Sequence, residues 1–481
     1  MMDIAFRYRG IGVPPRRLGQ WLGDLLTPVG ALVTAAIAGA LVVVSYQLAV
    51  GVVLLAALLA VYFQSPRAGV VGVWMLWMIA PLLRRVFGLL EGVPEFDILS
   101  VVPFAATGVV AVLEAERLYL SRRAKVLISL AATGFALGIP TGLLTPTAGL
   151  FAAGAYLSAL AAFALGYAEQ RRGAEELTLA TAIRIALPLI AVYGIFQYFF
   201  PLTSWDEHWL GSITFGSIGA PEQGHIRIFA TLNSPATMAA ILAIGILAVI
   251  SSDKAAALRP LMIALFATAL ALTYVRSAWL AFVVALLVYA AAAGVRRPAR
   301  AVAIVAILVV ASITTGGSSA TTSAFVNRLT TLGALDEDTS ANARLTTANE
   351  VVPEILAHPF GEGLGQAGVA SRLAENEPGA TNLDLDNGYL ALGLQAGVIG
   401  LLLIVAAGAW AVSLAARSAR LSRGSPTACL CLGILVFGVV MHLSGDALYG
   451  VIGAVFWYVA GFATAAADVQ DAQLRSLPEA P

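Results

Sequence analysis

The sequence predicts an all-α polytopic membrane protein of about 14 transmembrane helices, with one long extracytoplasmic loop that contains a short amphipathic helix. Three observations carry that prediction. Of the 481 residues 59% are hydrophobic and 12% charged, with a mean hydropathy of +0.86, which excludes a soluble enzyme held by a single anchor. The apolar runs are continuous and do not alternate, which favours helices over a barrel. The cations are sorted between alternate connections.

In order, the apolar segments are 28–46, 48–64, 69–89, 98–115, 124–143, 146–167, 177–199, 234–251, 258–275, 277–294, 300–315, 387–414, 428–442 and 447–466. Most run ~17–25 residues, the length a helix needs to cross ~30 Å of hydrocarbon. From a cytoplasmic N-terminus, the inside positions hold twenty of the 28 Lys/Arg and the outside positions seven. The seven are Arg84, Arg85, Arg227, Arg276, Arg328, Arg344 and Arg372, and Arg184 alone lies within a segment. This asymmetry follows the positive-inside rule and places both termini in the cytoplasm. Residues 1–481 read as one integral membrane domain with no convincing internal repeat.

Residues 1–27 hold four arginines and no small-residue cleavage site, so no signal peptide is expected. Arg16–Leu26 has the pattern of a short helix lying along the interface. Cys429 and Cys431 share one apolar segment and lack the ligand count of a zinc site, so ordinary packing is expected. The zero net charge is uninformative about partners because the two faces differ so strongly, and nothing points to nucleic acid.

Two outside connections are long. Residues 200–233 are aromatic and polar, running from Pro201 through Trp205, Asp206, Glu207, His208 and Trp209 to His225 and Arg227. Residues 316–386 form the one long hydrophilic region. It opens with a flexible Gly/Ser/Thr stretch, Thr314–Ser323, followed by an amphipathic helix over Ala343–Ala357 interrupted by Pro353. A Gly-rich turn follows at Gly361, Gly363 and Gly365, and the chain re-enters the membrane at Asp386–Leu390. So long an excursion is expected to act as a lid or substrate cap.

Guanidinium groups bind phosphate oxygens bidentately and keep their charge. Arg227 opens the run Arg227–Pro235, Arg276 sits between two helices, and Arg344 heads the loop helix, all near one outer plane. They fit an anion site; pairing with acids such as Asp206, Glu222 or Asp386, or snorkelling to headgroups, fits each of them singly. Snorkelling accounts for Arg184. The Gly361–Gly365 turn reads either as an anion nest or as a packing turn, and His442 beside Asp446 reads as a structural histidine.

These residues resemble the O-antigen polymerase/ligase superfamily of bacterial membrane glycosyltransferases. The resemblance covers roughly 200–414 and rests on Arg227–Pro235, on Thr273–Trp279 with Val275 where serine is usual, on Arg344 with His358-Pro359 and Gly361, Gly363 and Gly365, and on Asp386–Leu390 with Gly397–Leu401. It implies a transferase in the bacterial inner membrane whose donor and acceptor are polyprenyl-pyrophosphate-linked glycans, with its active site facing the periplasm or exterior. A chain-length regulator and a flippase are the accessory partners it allows. Ligases of the superfamily usually carry histidine where this chain has Asp386, a departure that favours the polymerase branch.

The implied reaction is attack by a sugar hydroxyl on the anomeric carbon of another chain, with polyprenyl pyrophosphate leaving. Arg276, Arg227 and Arg344 would stabilise the leaving charge, and Asp386, at the loop-to-membrane junction where burial would raise its pKa, is the first candidate base. As a plain alternative Asp386 would cap the following helix. Glu362, Asp384 and His225 are reserves; His225, Asn233, Glu362, Asn387 and Tyr389 are the candidate substrate contacts. No metal or cofactor is expected, although Asp384-Leu385-Asp386 spells a DxD. A transporter is the rival class, but it should carry charges at mid-membrane, and here the polar groups collect on one face.

Overall fold

A computed structural model describes residues 45–91, 98–212, 218–254, 256–294, 339–374, 383, 385–422 and 424–476. The described residues form helices joined by turns. These are α1 (Tyr46–Gln64), α2 (Pro66–Glu91), α3 (Ile98–Ala115), α4 (Arg122–Leu137), α5 (Ile139–Gly142), α6 (Pro146–Arg171), α7 (Thr178–Phe199), α8 (Ser204–Gly211), α9 (Pro235–Ser251), α10 (Arg259–Leu272), α11 (Arg276–Ala293), α12 (Thr339–Ala357), α13 (Gly388–Leu421), α14 (Pro426–Met441) and α15 (Gly450–Arg475).

Among the described residues nine helical stretches are long and apolar enough to cross a membrane, and Leu99–Ala115, Pro235–Ser251 and Arg259–Leu272 are shorter apolar helices. Together they coincide with twelve of the fourteen expected segments. Segment 300–315, nearly all of 28–46, Arg16–Leu26, Thr314–Ser323, Arg328 and Asp384 lie outside the described residues.

Local chemistry fixes the helix starts. Ser45 and Ser121 accept from the N–H groups of Leu48 and Ala124, and proline opens α6, α9 and α14 where its missing N–H costs nothing. Packing in lipid favours small residues that bring backbones together. α15 is the central helix, with 94% of its most apolar stretch buried. It crosses α6 at Gly166 and Gly461, where added β-carbons would fall 1.9 Å from the Tyr458 carbonyl oxygen and 2.0 Å from that of Phe163. Cys429 and Cys431 are free thiols buried in α14, as packing residues should be.

The Gly-rich turn has a definite role. α13 kinks at Gly397 (φ 71°), where a β-carbon would stand 2.1 Å from the Pro359 carbonyl oxygen. The turn lodges in this kink: Glu362 N–H donates to Leu394 O (2.8 Å), Gly363 N–H to Gln395 O (3.2 Å), Leu364 N–H to Gly138 O (2.8 Å) and Gly365 N–H to the Gln395 side-chain oxygen (2.8 Å). Donors already engaged by protein cannot cradle a phosphate, so of the two readings of the turn packing is the one observed. α12 runs unbroken through Pro353 from Thr339, four residues earlier than expected, and lays Val351 and Ile355 against α13.

Polar networks tie helix ends that the charge pattern assigns to the same side. At the end expected to be cytoplasmic, buried Glu114 accepts from Tyr62 (2.9 Å) and pairs with Arg172, Thr178 and Tyr458 bind Glu169, and Arg123 and Arg417 share Asp471. Arg184 is not merely snorkelling: it pairs with Glu176, which also meets Lys254 (2.9 Å) and Ser252 (2.8 Å). Burial pushes the Glu176 carboxyl up, but these partners overcome it and bring its pKa down to about 2.

Candidate functional site

At the opposite end, the two arginine motifs expected on the outer side are built into one structure. Arg227 donates its Nε–H to the Thr273 carbonyl (3.0 Å), and Ile228 N–H donates to Leu272 O (3.3 Å), so the segment before α9 is stitched to the α10–α11 turn. Arg276 is the first residue of α11, immediately beyond that turn. Both arginines are half-buried. Tyr198 of α7 joins the same turn through its hydroxyl contact with Tyr274 (2.9 Å).

The backbone here is held in an uncommon conformation. Ala230, Asn233 and Tyr274 have φ of 46°, 57° and 53°, the only positive-φ non-glycine residues described. Such conformations cost of order 1–3 kcal/mol for residues other than glycine and persist where surroundings over-determine them. Around Ala230 the surroundings are a buried ion pair that sequence reasoning missed. Arg85 Nη1 meets Asp206 Oδ1 at 2.5 Å with both side chains fully buried, and Arg85 Nη2 donates to the Ala230 carbonyl. Asp206 Oδ2 also accepts from Tyr193 (2.6 Å) and Gln197 (2.8 Å), and the Gln197 side-chain oxygen accepts from Ala230 N–H (2.7 Å). The guanidinium lies 4.9 Å from the Phe229 ring centre and 5.5 Å from that of Trp209. The only available signal was an arginine pair ending an apolar segment.

Other expected site residues fall as follows. His225 is exposed, and its Nδ1 lies 3.2 Å from Gln223 O. Asn233 keeps its side-chain oxygen buried with no hydrogen bond from a described residue. Arg344 lies in the N-terminal half of α12, and its side chain is outside the described set. Asp386 is exposed, so the burial expected to raise its pKa is absent. The cap of α13 is Asn387, not Asp386: its Oδ1 accepts from Tyr389 N–H (3.0 Å) and Leu390 N–H (3.3 Å). The Tyr389 hydroxyl donates to Val439 O (2.9 Å), which ties α13 to α14.

Glu362 lies beside the end of α12. Burial and the neighbouring Glu354 carboxyl raise its pKa, against a lowering by His358. Glu354, His358 and Glu362 bring ligand atoms within 4.8 Å of one another, but Glu354 and His358 are exposed and pair directly at 3.0 Å. An i,i+4 pair of this kind forms on many solvated helix faces.

Beside Asp386 the structure gathers a third group. A β-carbon at Gly388 would collide with the His442 ring and Gly445 O. His442 Nδ1 accepts from Ala447 N–H (3.0 Å), so in the neutral ring the proton sits on Nε2, and the 3.7 Å approach to Asp446 is not an ion pair. Burial holds the Asp446 carboxyl up at about 6, against hydrogen bonds from Tyr156 and from Leu448 N–H (3.1 Å). From Tyr156 the network continues through Gln395 (3.3 Å) to Gly365 of the Gly-rich turn.

The antiparallel pair α11 and α14 relates the two clusters in height. The helices touch where a β-carbon at Gly433 would lie 3.6 Å from Ala285 O. Arg276 and His442 each stand nine residues from this contact, about 14 Å along their helices at ~1.5 Å per residue, so both reach one level.

No curated protein and no solved structure matches the chain. Residues 261–405 match the model of the O-antigen ligase family, a stretch containing Arg276, the loop helix, the Gly-rich turn and the start of α13. That match, together with the helical membrane fold, supports membership of the O-antigen polymerase/ligase superfamily and O-antigen ligase- or polymerase-like function in general.

Proposed function

We propose that this protein is a polymerase that joins polyprenyl-pyrophosphate-linked oligosaccharide repeat units into a surface polysaccharide at the outer face of the bacterial cytoplasmic membrane. The observation that carries the reading is the Arg227–Thr273 hydrogen bond, which makes one local structure of two arginine motifs far apart in sequence. Two guanidiniums on one strained, buttressed turn suit a leaving group bearing a pyrophosphate.

In the proposed reaction an acceptor sugar hydroxyl attacks the anomeric carbon of the donor. The anomeric C–O bond breaks, its electron pair stays on the departing polyprenyl pyrophosphate, and the hydroxyl proton passes to a base. Arg227 and Arg276 stabilise the departing charge, with Arg344 joining them from the loop helix. Asp386, exposed just before α13, is the base. One displacement inverts the anomeric configuration. The fixed cations perform the role a divalent metal would otherwise take, so the reaction is expected to survive EDTA. His225, Asn233 and Glu362 are the proposed glycan contacts, while Asn387 and Tyr389 hold the helix that presents Asp386. A chain-length regulator and a flippase are proposed as accessory partners.

The matched family's description favours a second reading, transfer of a finished glycan to a lipid or protein acceptor. Reconstitution of the purified chain with a synthetic polyprenyl-pyrophosphate-linked repeat distinguishes the two. A ladder of lipid-linked oligomers from this single substrate supports the polymerase. Turnover only after a separate acceptor is added overturns it in favour of the ligase.

A further inference from the structure

A groove between α13, α14 and α15 lies outside the arginine site and has a volume of about 280 Å3. Val405, Gly408, Val439 and Phe456 line it, with Val405 40% and Val439 36% exposed, so it opens sideways between helices long and apolar enough to span a membrane. The two glycines keep it open: a β-carbon at Gly438 would stand 2.7 Å from Phe456, and one at Gly408 would touch the same ring at 3.5 Å. At one end the wall changes character. His442 and Tyr389 close the groove there, their rings edge to face at 4.5 Å. His442 is 2% exposed, its Nδ1 is occupied by Ala447 N–H, and its Nε2 has no hydrogen-bond partner among the described residues. The groove therefore combines an apolar channel with one buried N–H donor at its head.

We propose that this groove holds the first isoprenoid units of the polyprenyl pyrophosphate donor, with His442 Nε2–H donating to an oxygen where the chain meets the phosphate. The inference deepens the reading above and rests on the donor being a polyprenyl pyrophosphate. Three observations select this occupant. A laterally open apolar furrow in a membrane span is filled by a hydrocarbon chain, because nothing else there is apolar and mobile. A buried N–H in hydrocarbon requires an acceptor, and the phosphate end of a lipid brings one. The head of the groove reaches the level of Arg276, the height at which that same lipid's pyrophosphate would be clamped. Gly388, which abuts the His442 ring, lies two residues after Asp386, so the lipid head would also lie beside the proposed base.

The test uses the full chain in nanodiscs of phosphatidylethanolamine and phosphatidylglycerol, with a polyprenyl pyrophosphate carrying a photoactivatable diazirine near the first isoprenes. Adducts are expected within 405–412 and 438–442, competed by unlabelled polyprenyl pyrophosphate and not by added phosphatidylglycerol. Ala409 lines the groove from an exposed position, so Ala409→Trp fills it without disturbing the core. This variant is expected to lower groove labelling by about tenfold and to raise KM for the donor with kcat little changed. Competed labelling mapped elsewhere, or equal competition by phosphatidylglycerol, would overturn the groove assignment and leave the polymerase reading standing. Absence of competed labelling anywhere would sink the donor itself, and with it that reading.

Discussion

Removing either half of the Arg85–Asp206 pair should cost the protein far more than removing both. Each side chain is fully buried, the charged atoms meet at 2.5 Å, and Ala230 O, Tyr193 and Gln197 add further hydrogen bonds, with Arg85 Nε left without a hydrogen-bond partner among the described residues. In Asp206→Leu the guanidinium keeps one carbonyl and two aromatic faces, but no counter-charge. In Arg85→Met the carboxylate keeps two neutral donors. Breaking a buried pair from one side typically costs ~3–5 kcal/mol, whereas replacing both charges by apolar groups of similar volume is often near neutral. The double variant Arg85→Met/Asp206→Leu should therefore be more stable than either single variant, a coupling opposite to additivity. Unfolding in mixed micelles with increasing SDS measures all four proteins. The double variant should also lose glycan-forming activity despite its recovered stability, because the Ala230 carbonyl keeps only the long Gln197 contact (3.5 Å) and the segment bearing Arg227 loses the Arg85 brace. Additive costs, singles below ~1 kcal/mol, or a fully active double variant would refute the account of this pair as a positioning strut.

Arg227→Ala and Arg276→Ala should each abolish polymer formation while the protein still inserts at normal levels, read by glycan ladders beside membrane immunoblots. Asp386→Asn should lose more than about tenfold in turnover, within the ~10²–10⁴ range of general-base catalysis, and near-normal turnover would remove it as the base. Asp446 should give stability a pH slope of unusual sign. Burial raises its folded pKa to about 6, above the ordinary value, so the folded state binds this proton more tightly. Its contribution is fully present below about pH 4 and is lost as pH rises towards about 6; Asp446→Asn should flatten that slope in thermal melts.

Hydropathy and charge made the helices legible because each is a local property. A run of ~20 apolar residues must be helical in lipid, and Lys/Arg bias sets its direction. The site was legible only in its parts. Arg227 and Arg276 stood out as cations at helix mouths, yet the bond that unites them spans 46 residues, and the Arg85–Asp206 pair spans 121. Nothing local to Arg85 foretold its burial against α8. The exposure of Asp386 was missed for a related reason: its neighbour Asn387 has the better cap geometry, which leaves the acid facing outward. Sequence alone left the Gly-rich turn between an anion nest and a packing turn because the acceptors that decide it, Gly138, Leu394 and Gln395, come from other parts of the chain.

In the proposed function this protein lengthens lipid-linked glycans outside the membrane, using Arg276. The direct measurement is the lipid-linked glycan profile of cells lacking the protein, complemented with wild type or with Arg276→Ala. Single repeats on their carrier at the outer leaflet, converted to a ladder by wild type and not by Arg276→Ala, are the predicted result. Long chains that persist on the carrier without the protein would make it a ligase, and repeats trapped on the cytoplasmic side would make it a transporter; either contradicts the claim.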